Sequence, residues 1–320
     1  MLFTTLCALA STATTVLAAP APNHPHVDVH VAFDAWKGRH SKNYATVEEE
    51  ATRKAIFTQT HKDIHIHNSD PTQSFKKGHN QFSDMTFDEY KAILTPFNVS
   101  QAPSARRDGS LSTQSIDWVK KGYVTPIKNQ AKYGTCVIFS TMEMVEAYYY
   151  SQSKSLVSFS EQQVFDCYPT VSDNFNNCAG GDPNNCGGTT YPTAFEVINK
   201  MGDLQVYETN PYQGASCDGR QCPSPVGPTG QCSKDNAAWT FSTINVAEGN
   251  GEEKMSQDVL KTVLGVTVYA ACQAWMQYES GILTSDSCGS MDNTDHAVVV
   301  VGYNYNNGQP YWIIKNHWDT

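Results

Sequence analysis

The sequence predicts an α+β protein in two parts: a helical N-terminal stretch, then a cysteine-rich, mixed helix-and-strand region. Three observations carry this. Residues 28 to 95 hold no cysteine and repeatedly space apolar residues three and four apart, the period of an amphipathic helix. Nine of the ten cysteines, with much of the glycine and tyrosine, fall from Cys136 onward. Near the end, His296-Ala-Val-Val-Val-Val-Gly-Tyr and Tyr311-Trp-Ile-Ile-Lys-Asn are short apolar runs rich in β-branched and aromatic residues, which read as strands.

The elements follow in chain order. Met1 to Ala19 is uncharged, apolar and small, with Val16-Leu17-Ala18 as a cleavage signal. It reads as a secretory signal peptide lacking the usual basic start, against the plainer reading of a disordered or anchoring N-terminus. No other stretch is long and apolar enough to span a membrane. Val31-Ala-Phe-Asp-Ala-Trp36 and Glu49-Ala-Thr-Arg-Lys-Ala-Ile-Phe-Thr are helical by period. Residues 96 to 115, rich in Ser, Pro and Ala and containing Arg106-Arg107-Asp-Gly, form an exposed linker open to proteolysis. Asn98-Val-Ser100 within it is an N-glycosylation acceptor triplet. A helix is predicted from Cys136 to about Ser151, with Ile138, Met142, Val145 and Tyr149 on its core face. Residues 168 to 190 and 213 to 237 are polar and rich in Gly, Pro, Asn and Ser, and read as long loops. Asn306-Asn307-Gly308-Gln309 between apolar runs marks a hairpin.

Composition narrows the function. Apolar residues at 40% can fill a sizeable core, and 22 basic against 32 acidic residues give a net charge of -10. Nucleic acid and anionic lipid attract cationic surfaces, so neither is the expected main partner. The cysteine crowding fits a disulfide-stapled domain of a secreted or lysosomal protein. Zinc is the competing reading, but Cys217 and Cys222, or Cys178 and Cys186, lack ligand spacing and have no histidine close in sequence, so no metal is expected.

The chemistry gathers at Cys136, His296 and Asn316, with Gln130 six residues before the cysteine. A thiol at a helix start, an imidazole at a strand start and a carboxamide at a strand end are the parts of a thiol nucleophile with its base and orienter. Eight of the ten histidines lie before residue 80, which leaves His296 and His317 for the later region. His317 follows Asn316 on a predicted strand, so it should point the other way.

Around these residues the chain closely resembles the papain-like cysteine proteases. The resemblance rests on Asp117-Trp118 through Gln130, Gly134-Thr-Cys136, Ser160 through Cys167, Asp295-His296 through Tyr303 and Ile314-Lys-Asn316-His-Trp318. The earlier part resembles the inhibitory propeptide of the cathepsin L-like branch, through Glu49, Arg53, Phe57, Ile64 and Asn68, with Thr60 where asparagine is usual, and through Gly78, Asn80, Phe82 and Asp84. The resemblance implies a helical and a β-barrel-like subdomain meeting at a cleft that the propeptide blocks. It implies a precursor with signal peptide 1–19, propeptide 20–110 and peptidase domain 111–320, cleaved near residues 105 to 115. The product would be a secreted or lysosomal endopeptidase, a monomer without cofactor, acting on protein or peptide substrates. A non-catalytic homologue that inhibits other proteases or only binds is the alternative.

Carried over residue by residue, the resemblance makes Cys136 the nucleophile, favoured as thiolate beside an imidazolium with a pKa of ~3 to 4. His296 returns the proton to the leaving amine, Asn316 accepts from the His296 ring, and Gln130 donates to the oxyanion, a contact worth ~3 kcal/mol. Gly188 contacts the substrate backbone (Gly180-Gly181 offers itself as well), and Trp318 shields the Asn316–His296 contact. Thr135 and Val137 depart from the family pattern around the nucleophile, whose first cysteine is missing. Cys178 is therefore expected to pair with Cys186; the resemblance implies Cys167 with Cys217, and Cys222 with Cys232 would close a Pro/Gly-rich loop. The chain stops at Thr320, where the family continues, so final strands and a partner for Cys288 are expected to be lacking. The histidine crowding adds one expectation: acid charges the propeptide and loosens it, which His61, His65 and His67 changed to Gln would reveal.

Overall fold

The computed structural model describes residues 2–3, 29–95, 111–171, 189–213, 232–245, 251–288, 294–306 and 309–319. They fall into two compact units, and the division does not follow the order of the chain. One unit joins residues 7–90 to 271–290; the other joins 1–6, 91–270 and 291–320. Among the described residues no helix is long and apolar enough to cross a membrane.

The smaller unit is built on the helices Val29–Arg39 and Val47–Ser69. Thr46 caps the second by accepting from the Glu49 N–H at 3.1 Å, and Glu48, Glu49 and Glu50 stand at its positive end. Phe33, Trp36 and Phe57 are fully buried between the two helices. The residues that marked this segment in the sequence are its joints. Arg53 Nη1 donates to Glu89 Oε2 at 2.8 Å and to the Asp84 carbonyl at 3.1 Å. Asn68 bonds both ways with the Lys77 backbone, at 2.8 and 2.9 Å. Asp84 accepts from Lys42 and Tyr44, both at 2.9 Å. Strand Phe75–Lys77 pairs antiparallel with Tyr278–Gly281, and where this pairing ends the Glu279 carboxyl lies close over Gly78, 2.9 Å from where a Cβ would stand, so a larger residue there would push that exposed side chain aside.

His79 stacks on Phe57 at 4.1 Å, and its Nε2 lies 2.9 Å from His61 Nδ1. Burial, then the charges of His61, Arg39 and His40, lower its pKa to about 4. Its Nδ1 is buried with no partner, so a proton placed there would find no acceptor. The folded value lies below the ordinary 6.5. The stability it confers is therefore full above pH 6.5 and drains away as pH falls toward 4. The loss is at most about 3 kcal/mol, less what partial exposure screens. His79→Gln is expected to lower the pH at which the full chain matures, and to do so more than changes at His65 or His67. An unmoved maturation profile would remove His79 from the account.

In the larger unit, strand His296–Asn306 is central. Leu264–Val268, Gln309–Lys315 and Ile116–Asp117 all pair with it antiparallel. The hairpin expectation holds, with register closing at Asn306↔Gln309. Gly302 permits the close approach of Ile116, whose carbonyl would stand 2.6 Å from an added Cβ. Leu2–Phe3, the only described part of the expected signal peptide, lies parallel to Leu264–Val268. Helix Cys136–Ser153 packs on the central strand, and Glu161–Val171 and Tyr191–Met201 pack on that helix. Ile138, Met142 and Val145 are fully buried there, with Phe159, Val164, Ala194 and Ile198. Residues 168–171, expected in a loop, complete the Glu161 helix instead.

Beneath this core lies a buried charge cluster. Lys128 Nζ sits 2.7 Å from Glu146 Oε1, touches Glu161 Oε1 and donates to the Phe159 carbonyl at 3.2 Å. Thr125 Oγ1 donates to the other oxygen of Glu146 at 2.5 Å.

The cysteine pairing departs from expectation. Cys167 bonds to Cys232, not to Cys217, so Cys222 does not pair with Cys232 either. The physical reason is register: the Ala238 N–H bonds to the Leu204 carbonyl and Trp239–Thr240 pairs with Asp203–Leu204, which draws Cys232 back over the Glu161 helix. Cys288 finds its partner within the chain, at Cys272. Cys178, Cys186, Cys217 and Cys222 lie outside the described residues.

Candidate active site

Cys136 begins its helix, with Thr135 at the cap position. Its thiol is in no disulfide, is 1% exposed and lies against the backbone of Ala297, the residue after His296. The first-turn amides and the helix dipole favour negative charge at this position.

His296 is the first residue of the central strand, and its Nε2 lies 2.8 Å from Asn316 Oδ1. A carbonyl oxygen only accepts, so Nε2 carries the hydrogen and Nδ1 is left as the basic nitrogen. Asn316 Oδ1 also accepts the His317 N–H at 2.9 Å, which fixes the carboxamide's orientation. Trp318 stacks on His296 with centroids 4.3 Å apart and an interplanar angle of 22°. Gln130 is tied to the same loop: its N–H donates to the His317 carbonyl at 2.9 Å, beside a bridge between Asn129 and Trp318. Its Nε2 donates to the Tyr133 carbonyl at 2.7 Å, while its Oε1 is buried without a partner. Cys136, His296, Asn316, Gln130 and Trp318 all belong to the larger unit.

The papain family cysteine protease pattern matches residues 112–320, and the cathepsin propeptide inhibitor domain matches residues 33–90. The chain belongs to the papain family of cysteine proteases. It is 34% identical over 297 residues to cysteine proteinase 3 of Solanum lycopersicum, covering 90% of this chain and 76% of that protein. It is 35% identical over 294 residues to pro-cathepsin H of Bos taurus, covering 89% and 80%. Among solved structures, digestive procathepsin L 3 of the Tenebrio molitor larval midgut superposes with a TM-score of 0.70 at 26% identity, covering 91% of this chain and 89% of that one. A papain-like fold preceded by an inhibitor-type propeptide, and a cysteine protease precursor as the product, follow from these matches together.

For a papain-family site the charge state is unexpected. Burial pushes the Cys136 thiol up to about 12, aided by the charge of Asp295. Burial, then the charge of His317, pulls His296 down to about 3. Away from water both charged forms are costly, so this arrangement holds a neutral thiol and a neutral imidazole rather than the expected ion pair. Thr95 is bonded close by: its N–H donates to the Asp295 carbonyl at 2.9 Å and its hydroxyl donates to the Gly134 carbonyl at 3.5 Å.

His317 does not point away. The strand ends at Lys315, so alternation fails at Asn316. The His317 ring is fully buried, 5.5 Å from the His296 ring, with Nε2 bonded to the Ala297 carbonyl at 3.0 Å. Sequence reading also passed over Glu143, although a carboxylate seven residues beyond Cys136, on the same helix face, was a visible signal. Gly188, Gly180-Gly181 and Asn98 lie outside the described residues.

Proposed function

We propose that this chain is the precursor of a secreted or lysosomal endopeptidase, with signal peptide 1–19, propeptide 20–110 and peptidase domain 111–320. The observation that supports it most is the His296 ring, bonded to Asn316 through one nitrogen and set beside the Cys136 segment. In this reading His296 Nδ1 takes the Cys136 proton and sulfur attacks the substrate carbonyl. The oxyanion is met by the second Gln130 N–H and the Cys136 backbone N–H. Collapse forms a thioester, and the imidazolium gives its proton to the departing amine. Water, deprotonated by His296, then frees the acid and restores the thiol. Asn316 and Trp318 hold the ring throughout. All these groups come from one unit, which suits a monomer.

The propeptide is proposed as the chain's own inhibitor. Thr95, at the end of its described part, bonds to the neighbours of Cys136 and His296. A thiol-directed epoxide, added after acidification with reductant, is expected to label Cys136 and to fail with His296→Ala. Absence of label in a folded wild-type sample would count for an inert homologue.

A further inference from the structure

Glu143, Lys315 and His317 form a second buried group of charges, one that the mechanism above does not use. Glu143 lies on the Cys136 helix, seven residues or about two turns beyond the thiol. Its side chain is 3% exposed, that of Lys315 is 4% exposed and that of His317 is fully buried. Glu143 Oε1 stands 2.9 Å from Lys315 Nζ and 3.9 Å from His317 Nδ1. These are the residues on either side of Asn316. Burial alone would raise the Glu143 carboxyl, but the charge of Lys315 and the contact with His317 outweigh it and hold it below its ordinary range. It is therefore an anion at neutral pH. One carboxylate on the nucleophile's helix is thus ion-paired to Lys315 and lies close to His317 Nδ1 without hydrogen-bonding it, so it faces both chain neighbours of the carboxamide that orients the base.

Resting on the proteolytic reading above, we propose that Glu143 is a positioning residue: it registers the Asn316–His296 pair to the helix that carries Cys136. The other polar groups around it do not duplicate that placement. Lys315 Nζ continues to Thr125 at 3.3 Å, and through it to Glu146. Tyr191 gives its hydroxyl to the carbonyls of Val266 and Val298. His317 Nε2 is engaged by Ala297, so only its Nδ1 faces the carboxylate.

The test compares wild type, Glu143→Gln and the double variant Glu143→Met with Lys315→Met, each after acid processing of the full chain. The readouts are kcat/KM against pH on a peptide substrate and the alkylation rate of Cys136. Glu143→Gln is expected to lower kcat/KM by about ten- to a hundredfold, mostly in kcat, through misplacement of the reacting groups. Removing a negative charge makes nearby protons easier to lose. Both limbs of its pH profile should therefore move to lower pH, by on the order of half a unit. The double variant replaces a buried ion pair with apolar groups and should regain the wild-type melting temperature, yet kcat/KM should stay low because the carboxylate facing His317 is gone. Wild-type kcat/KM in the double variant, or unmoved limbs in Glu143→Gln, would overturn the positioning role and leave Glu143 a counter-ion for Lys315. A wild-type enzyme inert in both readouts would instead overturn the proteolytic reading, and this inference with it.

Discussion

In the intact chain at pH 7, Cys136 is expected to react with iodoacetamide at least a hundredfold more slowly than in the acid-processed enzyme. Two effects of burial combine. With the thiol near 12, only about one in 10⁵ is ionised at pH 7. Once hydrated and paired with an imidazolium, a helix-start cysteine has a pKa of ~3 to 4 and is almost wholly thiolate. The gain is smaller than that ratio, because nucleophilicity falls with pKa at a Brønsted slope of about 0.4 to 0.5, leaving roughly three- to sixtyfold. Access supplies the rest, since a residue 1% exposed must be uncovered before any reagent reaches it. Equal rates before and after processing would show that burial does not keep the precursor latent. The processed His296→Ala variant should keep the access and lose the thiolate.

Lys128→Met is expected to destabilise the larger unit by about 3 to 5 kcal/mol, the cost of stranding buried carboxylates without their cation. Lys128 stands between Glu146 and Glu161, and Glu161 is fully buried. Burial and the charge of Glu146 already raise the Glu161 carboxyl above its ordinary 4.5, against the pull of Lys128. A raised folded value means that the folded state holds the proton more tightly. Stability from this group is full below pH 4.5 and falls as pH climbs through the folded value. The Lys128→Met defect should therefore shrink on acidification. At ~2 to 4 °C per kcal/mol, thermal melts should show a drop on the order of 10 °C at pH 7 and less at pH 5. A variant that melts with wild type at both values would mean the cluster contributes nothing.

Glu161 and His79 thus respond to acid in opposite directions. Between about pH 6.5 and 4.5 the unit holding the propeptide helices loses the contribution of an uncharged His79, while the unit holding Cys136 gains from protonated Glu161. Acidification would therefore loosen one unit as it firms the other.

Much of this was legible in the sequence because it is local. Helical period placed Val31 to Trp36 and the Cys136 helix, and Asn-Gly between apolar runs placed the hairpin. The thiol, imidazole and carboxamide announced themselves by residue type and by their positions at element ends. What escaped depends on tertiary burial. Ionisation of Cys136 and His296 is set by how much water reaches them, which no spacing records. The Cys167–Cys232 bond depends on how the chain returns after Leu204. Alternation misplaced His317 because its strand ends two residues earlier, at Lys315. His61, His65 and His67 drew notice by crowding, whereas the ring with the strongest case is His79, which stacks on Phe57.

The most direct measurement is to mix processed enzyme with a slow ester substrate, quench in acid and weigh the peptide that contains Cys136. An added acyl mass is expected on that peptide, lost when His296 becomes Ala and cleared by hydrolysis when quenching is delayed. Turnover with no adduct on Cys136, or with the adduct on another residue, would contradict Cys136 as the nucleophile.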